Sequence, residues 1–234
     1  MWELDIIINY KYRKYLFYIK DSIISNPKYD KKGVFAIVKD GNNAVLSIAI
    51  LEPTKQLLKD IEELVAETLI FTEKEAYITK SRRLPRGEFR QAFVKALVLL
   101  NMQKEIALAK KYIDLQSSTI NIHSLFSFRL KHLEAIWQSH LDAICPNDME
   151  VNNDNLLDIL QAIISSNIKN VEVVITDAYR ITARNINIVA TDEADVIANL
   201  ILISPKKITI DKNVVLSGDT IILLQYLFQN KLVL

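Results

Sequence analysis

The side chains with the widest chemical repertoire are few. Three histidines, His123, His132 and His140, and one cysteine, Cys145, stand in a chain of 234 residues. The histidines fall on one predicted helix. At roughly 100° per residue, His123 and His132 lie about 180° apart and His140 about 80° from His132. One ion cannot be ligated by all three. A lone cysteine excludes an internal disulfide and a zinc site of cysteine type. The expectation is a protein without a metal. Cys145 near His140 has the elements of a thiol–base pair, but no pattern orients the two, and an ordinary cysteine at a helix end is the simpler reading.

Phosphate chemistry is disfavoured for a different reason. The four glycines, Gly33, Gly41, Gly87 and Gly218, are all isolated. Loops that cradle phosphate need clustered glycines, so that backbone N–H groups approach the anion closely. A P-loop, a dinucleotide fingerprint and a nucleophile elbow are therefore absent. No catalytic residue and no cofactor is assigned.

Cations are the remaining candidates. The stretch 80–95 holds Lys80, Arg82, Arg83, Arg86, Arg90 and Lys95 against Glu88 alone, with Phe89 and Phe93 interleaved. Arg82, Arg83, Arg86 and Arg90 form a candidate nucleic-acid patch at a helix-hairpin tip. The plainer alternative is a solvated turn whose phenylalanines face the core, four residues apart on one helix face. Arg129 stands on an apolar stripe formed by Ile122, Leu125, Phe126, Leu133, Ile136 and Trp137. A guanidinium there must snorkel outward or find an acidic partner. The expectation is that it is at least partly buried and pairs with a carboxylate that braces the helix, with an anion-binding arginine as the sharper alternative. Lys206 and Lys207 join Arg129 as candidate anion- or partner-binding residues.

The elements that must position these residues follow from periodicity. Residues 9–25 carry Tyr12, Leu16, Ile19 and Ile23 at helical spacing. Two strands, 34–38 and 44–51, flank Asp40-Gly41, a hairpin signal because glycine and asparagine tolerate φ > 0. Thr54 caps a long helix with Leu57, Ile61, Leu64, Val65, Thr68 and Leu69 on one face. Leu84-Pro85-Arg86-Gly87 suits a type I turn. A second helix is expected from Glu88 to about Tyr112 and a third from Asn121 to about Ile144. Residues 145–153 are a polar connector, and a short helix spans 154–165.

From Val171 the period becomes strand-like, with strands at 171–176, 180–189 and 207–210. Thr191 and Ser217 are expected to cap two helices, and Leu232-Val233-Leu234 closes the chain. A strand–helix–strand order implies a parallel pair. The fold class is α+β: an N-terminal helix plus β-hairpin, a central helical bundle, and a C-terminal small mixed sheet with two helices. The segments are 1–52, 53–144 and 145–234, or one continuous domain.

Half of the residues are apolar, enough for a packed core. Twenty-nine basic residues face 28 acidic ones, a formal net charge of +1. Such a balance gives no global attraction to nucleic acid or anionic lipid. No apolar stretch approaches the roughly 20 residues of a spanning helix, and no basic leader precedes an apolar run. The expectation is a cytoplasmic protein without membrane insertion.

Two segments carry a family resemblance. Ile120-Asn121-Ile122-His123-Ser124-Leu125-Phe126-Ser127-Phe128-Arg129-Leu130-Lys131 resembles the IN-I-x-G-F-x-x-FRL-K stretch of the YtxC-like sporulation proteins of endospore-forming bacteria. Leu200-Ile201-Leu202-Ile203-Ser204-Pro205-Lys206-Lys207-Ile208 is similar to that family's apolar run into a PKKI strand. Ser124 stands where the family usually has glycine, the N-terminal unit shows no match, and 142–170 is shorter than in the family. The resemblance implies a sporulation context and supplies no catalytic residues.

The function these observations favour is a non-enzymatic, sporulation-associated protein acting through a protein partner. A nucleic-acid or anion binder using the basic turn is the second reading, and an enzyme with a dispersed site the third.

Overall fold

The computed structural model describes residues 1–26, 33–81, 84, 88–146, 152–166, 169–176, 179–184, 186–190 and 192–233. The chain is α+β, and among the described residues nine α-helices accompany two mixed sheets of four and five strands. It divides into two compact units, each assembled from two chain segments. The first takes Met1–Ala76 and Asn101–Ile136, the second Tyr77–Leu100 and Trp137–Leu234.

The sheet of the first unit has the order β2-β3-β1-β4. β1 (Trp2–Asn9) pairs antiparallel with β3 (Asn43–Ile50), from Trp2 opposite Ile50 to Asn9 opposite Asn43. β2 (Gly33–Asp40) forms a hairpin with β3 through Gly41-Asn42, and Gly41 sits at φ +56°, where a side chain would be strained. β4 (Thr119–Asn121) returns more than a hundred residues later to lie parallel to β1. Successive side chains alternate faces, so Leu4, Ile6 and Ile8 line up with Leu46 and Ile48 on the buried side. Against this sheet pack α1 (Lys14–Ile24), which buries Leu16, Ile19 and Ile23, and the short α5 (Ile122–Leu125). β1 itself had no counterpart among the sequence expectations.

The long α2 (Lys55–Ser81) buries Leu57, Ile61, Val65 and Leu69, and Thr54 caps it by accepting from Leu57 N at 3.1 Å. Tyr15 of α1 meets Phe71 of α2 with ring centroids 5.6 Å apart. The single helix expected over 88–112 is two helices, α3 (Glu88–Leu99) and α4 (Met102–Lys110). The cause is Asn101, which adopts the left-handed conformation at φ +61° and breaks the helical path. The helix expected over 121–144 is also interrupted. α5 opens with Asn121 as N-cap, a π-helical turn spans Phe126–Leu130, and α6 runs Leu133–Ile144.

The second unit has a sheet of order β7-β6-β5-β8-β9. β5 (Lys169–Thr176), β6 (Arg180–Ala183) and β7 (Ile186–Val189) form an antiparallel meander. β8 (Pro205–Ile210) joins β5 in parallel, and β9 (Leu232–Val233) joins β8 in parallel. α3, α7 (Asn153–Ser166), α8 (Glu193–Ile203) and α9 (Gly218–Phe228) pack on one another. Phe93, Leu160, Leu200 and Leu224 are buried in this unit. Ser217 caps α9 by accepting from Thr220 N at 3.2 Å. The cap of α8 is Asp192, whose side chain accepts from Asp195 N at 2.9 Å; Thr191, the expected cap, lies outside the described residues.

Candidate binding groove

Asn121 begins the site. Its side-chain oxygen accepts from Ser124 N at 3.0 Å, an N-cap that turns the end of β4 into α5. The chain then widens into the π-helical turn Phe126–Leu130 before α6 starts. A π-turn advances less angle per residue than an α-turn, and such turns mark functional sites often enough to attract notice. Here its effect is concrete. Phe126 and Leu130 both stay buried, while Phe128 and Arg129 between them face outward.

Arg129 is therefore exposed, and no described carboxylate pairs with it, contrary to the expectation of a part-buried ion pair. The apolar stripe that holds is Ile122, Phe126, Leu130, Leu133, Trp137 and Leu141. Leu125 and Ile136, placed on the stripe from an unbroken helical period, sit at its margin, with Ile136 exposed. Phe128 is 84% exposed, far more than an aromatic ring gains from in water.

Phe128 and Arg129 line an open groove of about 660 Å³ in the first unit. Its other walls include Tyr112, Asp114, Ser117, Asn121 and Ser124. Asp114 is already organised, since one carboxylate oxygen accepts from Gln116 N at 2.9 Å. Tyr112 is 41% exposed, giving the groove a second aromatic surface. Among the described residues, the lining holds one carboxylate, Asp114, and one guanidinium, Arg129. Phe128, Tyr112, Asp114 and Ser117 were not singled out from the sequence. An exposed aromatic is indistinguishable from a core aromatic until the helix phase is known.

The other sequence candidates fall elsewhere. Lys206 and Lys207 are exposed on β8 of the second unit, and Lys206 Nζ lies 3.2 Å from Glu172 of the neighbouring strand. Arg90 is half-exposed on α3, three residues from Phe93, which is fully buried. Arg82, Arg83 and Arg86 lie outside the described residues. His132 is exposed, and His140 half-buried with no partner for Nδ1 among the described residues. His123 Nδ1 lies 3.2 Å from Glu73, whose carboxyl is pushed up by burial against the opposing pull of His123. Among the described residues, no cluster of three or more metal-ligating side chains occurs, and no helix is long and apolar enough to cross a membrane.

No protein-family model, no curated protein and no solved structure matches this chain.

Proposed function

We propose that the protein is a non-enzymatic cytoplasmic component of spore formation that acts by binding a protein partner through the groove at Phe128 and Arg129. The observation that carries this reading is the outward placement of a large aromatic and a guanidinium with no carboxylate partner among the described residues, side by side on a π-turn, beside a groove. Aromatics and arginines dominate binding energy at protein interfaces. The sporulation context comes from the resemblance to the YtxC-like proteins. Support for it is positional: Asn121, Ser124, Leu125, Phe128 and Arg129, all within the first resembling stretch, line the groove. The second stretch forms the end of α8, a left-handed Ser204 at φ +46°, and the start of β8.

The test is genetic and biochemical together. In a spore-forming host that carries the protein, Phe128→Ala and Arg129→Ala should lower the yield of heat-resistant spores while protein level and melting temperature stay at the parental values. Unchanged sporulation with both substitutions combined defeats the reading.

A further inference from the structure

The groove carries more information than the presence of a surface, and the inference drawn from it rests on the partner-binding reading above. We infer that its occupant is a short peptide segment of the partner that presents an acidic side chain next to an apolar or aromatic one. Three observations converge on this chemistry. Arg129 is an exposed guanidinium with no described carboxylate on it, so a carboxylate supplies the bidentate acceptor its planar fork is shaped for. Phe128, 84% exposed, and Tyr112, 41% exposed, offer apolar area that a neighbouring apolar side chain covers. Asp114 lines the same groove and keeps one oxygen beyond its bond to Gln116 N, an acceptor for a backbone N–H of the segment. A donor for Asp114, a carboxylate for Arg129 and apolar contact for the rings are the alternating demands a peptide meets. A volume of about 660 Å³ sits within the roughly 300–1,000 Å³ of pockets that hold small ligands, so the segment is short.

The mode of binding is constrained too. β4 is the edge strand beside the groove. Asp5 N donates to Ser118 O at 2.9 Å with Asp5 opposite Thr119, so the backbone groups of Thr119 point away from β1. Both are occupied: Ser117 Oγ accepts from Thr119 N at 3.4 Å and donates to Thr119 O at 3.0 Å. At Thr119 the edge is closed to strand addition, and the peptide is held there through side chains rather than as a fifth strand.

The 234-residue protein is panned against a displayed library of short random peptides, and enriched sequences are synthesised with a fluorescent label for anisotropy titration. The expected sequences carry Asp or Glu beside an apolar or aromatic residue. Exchanging that acid for its amide, or Arg129→Gln in the protein, should each weaken binding by roughly 10–100-fold, and the two together no further than either alone. Arg129→Lys should retain part of the affinity, and Phe128→Ala should weaken it, with all variants melting like the parent. Enriched peptides that lack an acid, bind the Arg129→Gln variant normally and lose binding only with Phe128→Ala overturn the acidic segment and leave the groove reading standing. Absence of enrichment, or peptides indifferent to both positions, overturns both. Tight binding of a labelled single-stranded oligonucleotide that both substitutions abolish overturns the peptide in favour of nucleic acid.

Discussion

Lys74 of α2 and Glu105 of α4 form a two-point ion pair inside the first unit. The ammonium donates to both carboxylate oxygens at 3.0 and 2.9 Å, and the residues are 3% and 5% exposed. Burial pushes the Lys74 amine down from its ordinary range, and Glu105 opposes that push. Two charges taken out of water cost several kcal/mol each, which their attraction offsets only in good geometry. The pair therefore ties α2 to α4 without itself being a large source of stability.

Removing one partner is expected to be far worse than removing both. Lys74→Met should destabilise the protein by about 3–5 kcal/mol, because Glu105 loses its buried counter-charge. Lys74→Met with Glu105→Leu should recover most of that loss, since apolar pairs of similar volume replace buried ion pairs well. Urea denaturation of the parent, both single variants and the double variant measures the coupling. Additive losses would show that the two side chains act independently.

Adjacent residues on the π-turn should respond in opposite ways. Leu130 is fully buried, and Leu130→Ala is expected to cost about 2–5 kcal/mol. Arg129→Met should change stability by no more than about 0.5 kcal/mol, as exposed substitutions do. Thermal melts of the two variants decide the matter; a large loss from Arg129→Met would return that residue to the structural role first expected of it.

Glu73 provides a pH-dependent test. Its folded-state pKa is raised, first by burial and against His123, so the folded protein holds this proton more tightly than the unfolded chain does. Ionising it is a penalty on the folded state, absent below the ordinary glutamate value of 4.5 and fully present once pH exceeds the raised folded value. Glu73→Gln should then be stabilising at pH 7 relative to the parent, with the advantage shrinking as pH falls through the folded pKa. The exposed His123 contributes little to offset this, as surface pairs do. Denaturant midpoints for both proteins between pH 4 and 7 check the slope, and a difference that grows on acidification would contradict it.

Ser217 joins a cap to a carboxylate. Its hydroxyl accepts from Thr220 N and donates to Glu193, which also accepts from Ser217 N at 2.9 Å and from the Thr220 hydroxyl. Burial works to raise the Glu193 pKa, but these bonds prevail and hold it below the usual range. Ser217→Ala should cost about 1 kcal/mol, read as a lower melting temperature. Because the Glu193 pKa is depressed, its contribution is present above the ordinary glutamate value of 4.5 and is lost as pH falls through the folded value. The Ser217→Ala deficit should narrow over that acidic window.

Punctuation by local chemistry was readable in the sequence. Asp40-Gly41 marked the β2–β3 hairpin, Thr54 and Ser217 marked helix starts, and the change of period near Val171 marked the second sheet. Features that depend on helix phase or on distant partners were not. Asn101 looks like any polar helix residue until its left-handed backbone is seen. β1 alternates Leu4, Ile6 and Ile8, but Ile7 fills the gap and blurs the period. The rule that a charge on an apolar stripe needs a partner was sound, yet it belonged to Lys74, four residues from both Ile70 and Ile78, and to Glu105 beside Met102, Ile106 and Ala109. Arg129 escaped it through one wide turn.

The placement of β4 governs when the chain can fold during synthesis. β1 emerges first, yet its parallel neighbour at 119–121 follows more than a hundred residues later, and the first unit also needs residues up to Ile136. By then 77–100 are already outside the ribosome, waiting for the 98 residues from Trp137 to Leu234 that complete the second unit. Neither unit can close on the segment that begins it. Long loops must be gathered before their contacts stabilise anything, which slows folding and leaves strand edges open to misplaced pairing. Until β4 arrives, the edge of nascent β1 that it covers is one such open edge.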